Sequence, residues 1–144
     1  MRSWYKSLST KPDLVVLLQP THPLRNPNDI TSAIELIQNN SEADSLVTVI
    51  PMSDSFGKIS SGVYLPEVPV QSDKSRGSKL FKVTGSFYIF RPTQTFMTTA
   101  NLGNKILAYE LAHPEFEVNI DYEHDFIYAE AIMKKYPEFL SMYD

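Results

Sequence analysis

Asp13-Leu14-Val15-Val16-Leu17-Leu18-Gln19-Pro20-Thr21-His22-Pro23-Leu24-Arg25 is the stretch on which the fold turns. Apolar residues run without a break from Leu14 to Leu18 and stop at Gln19-Pro20. Continuous apolarity, in place of alternation, predicts a strand buried on both faces, as in a parallel sheet. Just beyond it, Asn26 is a suitable N-cap, Pro27 fits the first helical position, and Asp29 suits the positive helix end. Ile30, Ala33, Ile34 and Ile37 then share one apolar face. Asn39-Asn40-Ser41 ends this helix, and Ser45 to Ile50 reads as a second strand closed by Pro51. Strand, helix and strand within about forty residues predict a βαβ unit with a right-handed crossover.

Farther along, residues 53 to 80 are rich in Ser, Pro, Gly and Lys and carry little periodicity. A stretch of this kind reads as a lid, a binding loop or an interface arm. Phe81 to Phe90 returns to strand character, interrupted by Gly85, and a glycine inside a strand marks a bulge or a close approach. Pro92 to Ala100 reads as a short helix stopped by Gly103. Ile106 to Tyr109 and Phe116 to Ile120 are short strand candidates. The last helix is expected over Glu123 to Tyr136, with Phe126, Ala129, Ile132 and Met133 buried and Pro137 as its stop. The expected fold is α/β: a mostly parallel sheet with flanking helices and one long insertion, in a single domain over residues 1 to 144.

Composition narrows the function classes. A chain of 144 residues suits one domain and buries roughly two thirds of its unfolded surface. Cysteine is absent, which removes disulfide scaffolds, thiolate metal sites and thiol nucleophiles. The net charge of −4 argues against a broad nucleic-acid surface. The opening residues lack an apolar signal core, and the longest apolar run is too short to span a bilayer. No membrane partner is expected, and the default location is cytoplasmic. All five glycines (Gly57, Gly62, Gly77, Gly85, Gly103) lie beyond residue 56, and none belongs to a glycine-rich phosphate loop.

In open α/β sheets ligands sit beyond the carboxyl ends of the strands. Two segments take that position: Gln19 to Arg25, and Asn119 to Asp125. In the first, two prolines stiffen the backbone. Gln19 and Thr21 offer neutral hydrogen bonds, and Arg25 offers a planar fork suited to a carboxylate or phosphate. The plainer alternative is a rigid strand-to-helix connection with Arg25 solvated. In the second, Asn119 and Asp121 point to one face of an extended segment. One carboxylate beside substrate phosphates and water is a sufficient protein contribution to a magnesium site. Alternatively Asp121 caps the last helix, with Asp125 a first-turn carboxylate facing the helix dipole.

These segments resemble the acylneuraminate cytidylyltransferases, also called CMP-sialic acid synthetases. DLVVLLQPTHPLR resembles the family's LLQPTSPLR, and ADSLVTV its next strand. FKVTGSFYIF is similar to the family's YxxNGAIYI, and GNKILAYEL to its following Gly and Tyr-Glu pair. VNIDYEHDFIYAEAIM is similar to its DIDTEEDFxxAE ending. The matches cover most of residues 13 to 133, corresponding to the C-terminal two thirds of the family domain. The stretch 53 to 80 matches poorly.

The resemblance implies a Rossmann-like nucleotidyltransferase fold, dimeric, with an arm at about 53 to 80. It implies transfer of CMP from CTP to the anomeric hydroxyl of a nine-carbon 2-keto sugar acid, with Mg2+ on the phosphates. Gln19 and Thr21 would line the sugar wall, Arg25 would fix the loop or an anionic group, and Thr84 and Gly85 would take the place of the family's Asn-Gly. Asp121 would be the catalytic magnesium ligand, with Asn119 beside it. Departures from the pattern are His22 for serine, Thr84 for asparagine, Asn119 for the first aspartate, and Tyr122 for a small residue. The family's opening strand and its glycine- and lysine-containing triphosphate loop have no counterpart. Lys58, Lys74, Arg76, Lys79 and Lys82 read as a solvated basic stretch. A chain lacking the N-terminal nucleotide-binding strands is expected to be incompetent alone. The alternatives are one half of a split enzyme, completed by another polypeptide, and a non-catalytic sugar-acid-binding or dimerisation module.

Overall fold

The computed structural model describes residues 2–52, 56–67, 80–96 and 101–137. The chain divides into two compact units, residues 1–50 with 83–144, and residues 51–82.

In the larger unit, Val15–Leu18 forms β1, Pro27–Gln38 forms α2 after a short α1 at Arg2–Ser7, and Ser45–Met52 forms β2. Leu80–Phe90 and Ile106–Glu110 are sheet strands named β5 and β6, since β3 and β4 belong to the smaller unit. Glu123–Lys135 forms α3. The sheet order is β1-β5-β2-β6. β1 runs antiparallel to β5, with Val15 opposite Phe90 and Leu18 opposite Phe87. β2 runs parallel to β6, with Ser45 opposite Ile106 and Val49 opposite Glu110.

The sheet is therefore mixed, not mostly parallel, and parallel Rossmann character is not what the described ladders display. The strand-helix-strand reading of residues 14–50 holds element by element, but β5 lies between β1 and β2. Among the described residues β1 is an edge strand, and its side chains are only partly buried, with Leu18 46% exposed. Its unbroken apolar run still has the expected cause, packing on both faces, and each face meets a separate layer. Val16 joins Phe87 and Ile89 in the core under α2, where Ala33 and Ile37 are fully buried. Val15 and Leu17 join Tyr88 and Phe90 on the other face, beneath Tyr5 of α1 and Phe96.

Asn26 Oδ1 accepts the Asn28 N–H at 2.9 Å and caps α2, with Pro27 in its first turn. At the other end Arg91 donates to the carbonyls of Ile37 (2.7 Å) and Ala43 (2.9 Å). These bonds satisfy carbonyls at and just beyond the helix end.

Phe116 to Ile120 is not a strand. Pro114–Phe116 is a 3-10 turn, and an extended stretch without a ladder follows. Phe116 and Val118 are buried with Leu24 and Ala129, and this cluster seats α3. Phe126 departs from expectation: it is 56% exposed and stands apart from the cluster that Ala129 and Met133 join. Residues 92–96 form turns, and the rest of the expected helix to Ala100 lies outside the described residues.

The smaller unit is a hairpin where a structureless loop was expected. Gly57–Ser60 (β3) pairs antiparallel with Val63–Pro66 (β4). Ser61 and Gly62 have φ of 52° and 79°, the left-handed pair that a two-residue primed turn requires. Lys58 pairs with Glu67 at 2.5 Å. Lys74, Arg76 and Lys79 lie outside the described residues.

Among the described residues, no helix is long and apolar enough to cross a membrane.

Candidate functional site

The loop after β1 is held by its own side chains. Arg25 Nε donates to the Ser86 carbonyl at 2.7 Å, and Arg25 Nη2 donates to the Gln19 carbonyl. The guanidinium thus closes the loop on itself and ties it to β5. The His22 N–H donates to the Gln19 carbonyl at 3.1 Å, forming the turn. On the other side the Ile120 N–H donates to the Thr21 carbonyl at 2.8 Å. The two segments singled out in the sequence are therefore adjacent in space.

Gly85 lies where the loop crosses β5. A Cβ there would fall on Gln19 Oε1 and His22 Cε1 and come within 2.8 Å of His22 Nδ1. The close approach expected of this glycine exists, and the groups making it are the chain's own Gln19 and His22. His22 is 5% exposed. Its Nε2 lies 3.4 Å from Glu117 Oε1, and its Nδ1 lies 3.3 Å from Thr21 Oγ1. Burial pushes the imidazole below its ordinary value, while Glu117 opposes that shift and Arg25 adds to it.

Thr84 is not part of this surface. It is 1% exposed, and its hydroxyl meets Thr48 Oγ1 at 2.6 Å. Thr48 donates to the Phe87 carbonyl at 3.1 Å, so Thr84 must donate to Thr48. Thr84 Oγ1 in turn accepts the Ser86 N–H at 3.3 Å. Its polar capacity is absorbed by the sheet.

Asp125 Oδ2 accepts the N–H groups of Tyr122 (2.8 Å) and Asp121 (2.9 Å). These bonds hold the Asp125 carboxyl below the usual range. Asp125 therefore caps α3, and Asp121 does not. The exposed Asp121 carboxylate accepts from Asn119 Nδ2 at 2.5 Å. Among the described residues no group of three His, Cys, Asp or Glu side chains gathers as a metal site. One exposed carboxylate fits a magnesium ion carried mainly by phosphates. For Asn119 to join, its amide must turn so that oxygen, not nitrogen, faces the ion.

A cavity of about 440 Å³ lies beside the loop, on the face opposite α2. Its floor is apolar (Leu17, Tyr88, Phe90, Phe96, Leu102), with Gln19, Thr95 and Asn101 as polar lining. Of the expected site residues, Gln19 is the one that borders it.

Glu117 and the Ile120 N–H escaped the sequence reading. A signal for Glu117 was available: residues 117 to 121 alternate polar and apolar, and Val118 is buried. That period of two places Glu117 with Asn119 and Asp121.

No family model matches the sequence, and no curated protein matches it. The fold is similar to that of the 4-diphosphocytidyl-2C-methyl-D-erythritol synthase from Anaerococcus prevotii DSM 20548, with a TM-score of 0.65 and 12% sequence identity. The likeness covers 92% of this chain and 64% of the other. At that identity the shared property is the fold.

Proposed function

We propose that this chain is part of a cytidylyltransferase, a transferase moving CMP from CTP onto the anomeric hydroxyl of a nine-carbon 2-keto sugar acid. The observation carrying the reading is the meeting of Gln19–Arg25, Gly85 and Glu117–Asp121, with Ile120 bonded to Thr21. The fold likeness to a protein described as a diphosphocytidyl-methylerythritol synthase supports cytidylyl transfer. The segment resemblances support the sugar acid.

In this reading Gln19 and Thr21 contact the sugar. Arg25 holds the loop in shape, and Gly85 seats Gln19 and His22. Asp121 holds Mg2+ together with the substrate phosphates, and the ion would neutralise charge developing on them. Thr84 acts from beneath, by fixing the strand. The sequence carries no glycine-rich phosphate loop, so the chain alone binds the sugar acid without turning it over.

The hairpin unit serves as a dimerisation arm. Phe56, Ile59, Val63, Tyr64 and Leu65 are all exposed, and an isolated two-stranded hairpin is marginal in water.

A pyrophosphate-release assay with CTP, Mg2+ and a panel of 2-keto sugar acids, run beside calorimetry, tests the reading. Sugar-acid binding without turnover is expected. Turnover by the chain alone would remove the claim of incompetence, and no binding at all would remove the sugar acid. Binding that ignores Mg2+ and CTP, and is unchanged in Asp121→Ala, would leave only a binding module.

A second reading, one half of a split enzyme, is favoured by the edge position of β1. Among the described residues Val15–Leu18 pairs on one side only. An unpaired apolar edge is a template for another strand. Added partner polypeptide should slow amide exchange at Val15–Leu18. Unchanged exchange, in a chain that sediments as a monomer, counts against this reading.

A further inference from the structure

We propose that the cavity on the face opposite α2 binds an uncharged heteroaromatic ring with a hydrogen-bonding edge, an amino-bearing nucleobase of the adenine kind. This goes beyond the sugar-acid reading and rests on the cavity alone.

The walls select a ligand by what they carry. The cavity holds about 440 Å³, and Leu17, Tyr88, Phe90, Phe96 and Leu102 supply its apolar lining. A space of that size suits a small molecule. Among the described residues that line it, none carries a charge. An ionic group entering it would find no partner, and an unpaired buried charge is costly. The part of the ligand that enters is therefore neutral.

The aromatic side chains set its shape. Tyr88 and Phe90 lie two residues apart on one face of β5, their rings 16° from parallel with centroids 6.2 Å apart. Phe96 leans on Phe90 at 5.3 Å. Leu17 of β1 stands opposite Tyr88 and extends the floor. A floor of stacked rings suits the π-face of a flat ring.

The amides set its edge. Gln19 and Asn101 line the same cavity. Among the described residues neither side-chain amide is spent on a hydrogen bond, whereas Thr95 gives its proton to the Arg91 carbonyl at 2.9 Å. A carboxamide carries a donor and an acceptor side by side. Asn and Gln are the side chains that pair bidentately with the amino group and ring nitrogen of adenine. Turning an amide exchanges its two ends, so the match holds whichever way it points.

Both amides come from tethered backbone. The Gln19 carbonyl accepts from Arg25 and from the His22 N–H. Next to Asn101, the Leu102 carbonyl accepts from Ser45 Oγ at 2.5 Å, and Asp44 clips the N–H groups of Asn104 and Lys105 just beyond. Groups held in place before binding lose little freedom on binding.

The test is read on the rings. Adenosine, added at millimolar concentration to the isotope-labelled chain, should move the ring resonances of Tyr88, Phe90 and Phe96 saturably. Inosine, which has a carbonyl in place of the amino group, should bind at least about fivefold more weakly. Ribose, the sugar without a base, should leave the rings unmoved. Asn101→Ala, at an exposed position, should weaken adenosine by a similar factor while the melting temperature holds. Rings unmoved by adenosine, inosine bound as tightly, ribose shifts of equal size, or unchanged affinity in Asn101→Ala would each overturn the proposal. Failure of N-acetylneuraminic acid to bind would strike the proposed substrate and leave the cavity result standing.

Discussion

Thr84 hands its hydroxyl proton to Thr48 across 2.6 Å inside the sheet. With Thr48 bonded to the Phe87 carbonyl and Ser86 bonded to Thr84, the chain of donors closes without a spare. Thr84→Val keeps the shape but leaves the buried Ser86 N–H without that acceptor. Such a loss costs about 1–3 kcal/mol, readable as a lower urea midpoint. Thr84→Ser, which retains the oxygen, should lose less. A larger loss in Thr84→Ser than in Thr84→Val would show that the methyl, not the hydroxyl, matters.

Gly85→Ala tests the seating of the loop. The added methyl displaces Gln19 and His22, or β5 moves away from them. Overpacking of this kind costs about 1–3 kcal/mol. The His22 ring resonances should move, and sugar-acid binding should weaken by more than the stability loss alone explains. A variant with unmoved His22 signals would mean the loop does not rest on Gly85.

Asp44 governs an acid-sensitive clip at the far end of the sheet. Its Oδ2 accepts the N–H groups of Asn104 (2.6 Å) and Lys105 (3.0 Å), with Gly103 at φ 83° allowing the turn. The Lys105 and Asn104 N–H groups hold its carboxyl below the usual range. The folded value lies under the unfolded one, so the contribution is full above the ordinary carboxylate pKa of about 3.9. It is lost as pH falls through the folded value. Asp44→Asn should be less stable than the parent at pH 7, and the gap should narrow on acidification below pH 4. A gap independent of pH would place its origin elsewhere than in the charge.

Asp29 has the opposite sign. It is buried and accepts from the Tyr109 hydroxyl at 3.1 Å. Burial raises its pKa, with the Tyr109 bond opposing. Its contribution is greatest below the unfolded pKa and is lost as pH rises through the folded value. Asp29→Asn keeps an acceptor for Tyr109 and removes the buried charge. Thermal melts should show the variant gaining on the parent as pH rises from 3 to 7. A deficit that grows over that range would sink the argument.

Much of the larger unit was legible from local signals. Asn26-Pro27 opens α2 as its chemistry dictates, and Ala33 and Ile37 fall on the buried face. The mixed sheet was not legible, because an apolar run reports burial and not strand direction. Val15 and Val16 read alike whether β1 is central or meets two separate layers at an edge. The hairpin escaped because Ile59, Tyr64 and Leu65 are all exposed and so leave no inside-outside alternation. At the site, Gln19, Thr21, Arg25 and Gly85 assemble on one loop crossing. Thr84 turned inward because residue type alone does not say which face of a strand a hydroxyl takes. Glu117 was hidden by the weight that Asn119 and Asp121 drew to themselves.

The bond from Ile120 to Thr21 gives α3 a mechanical reach. Leu24, Phe116, Val118 and Ala129 form a single packed knot linking the helix to both site segments. Pulling on that knot pulls on Thr21 through one N–H. The site thus has a remote tuning point: a change of volume at Ala129 alters where Thr21 stands without touching any group that meets a ligand.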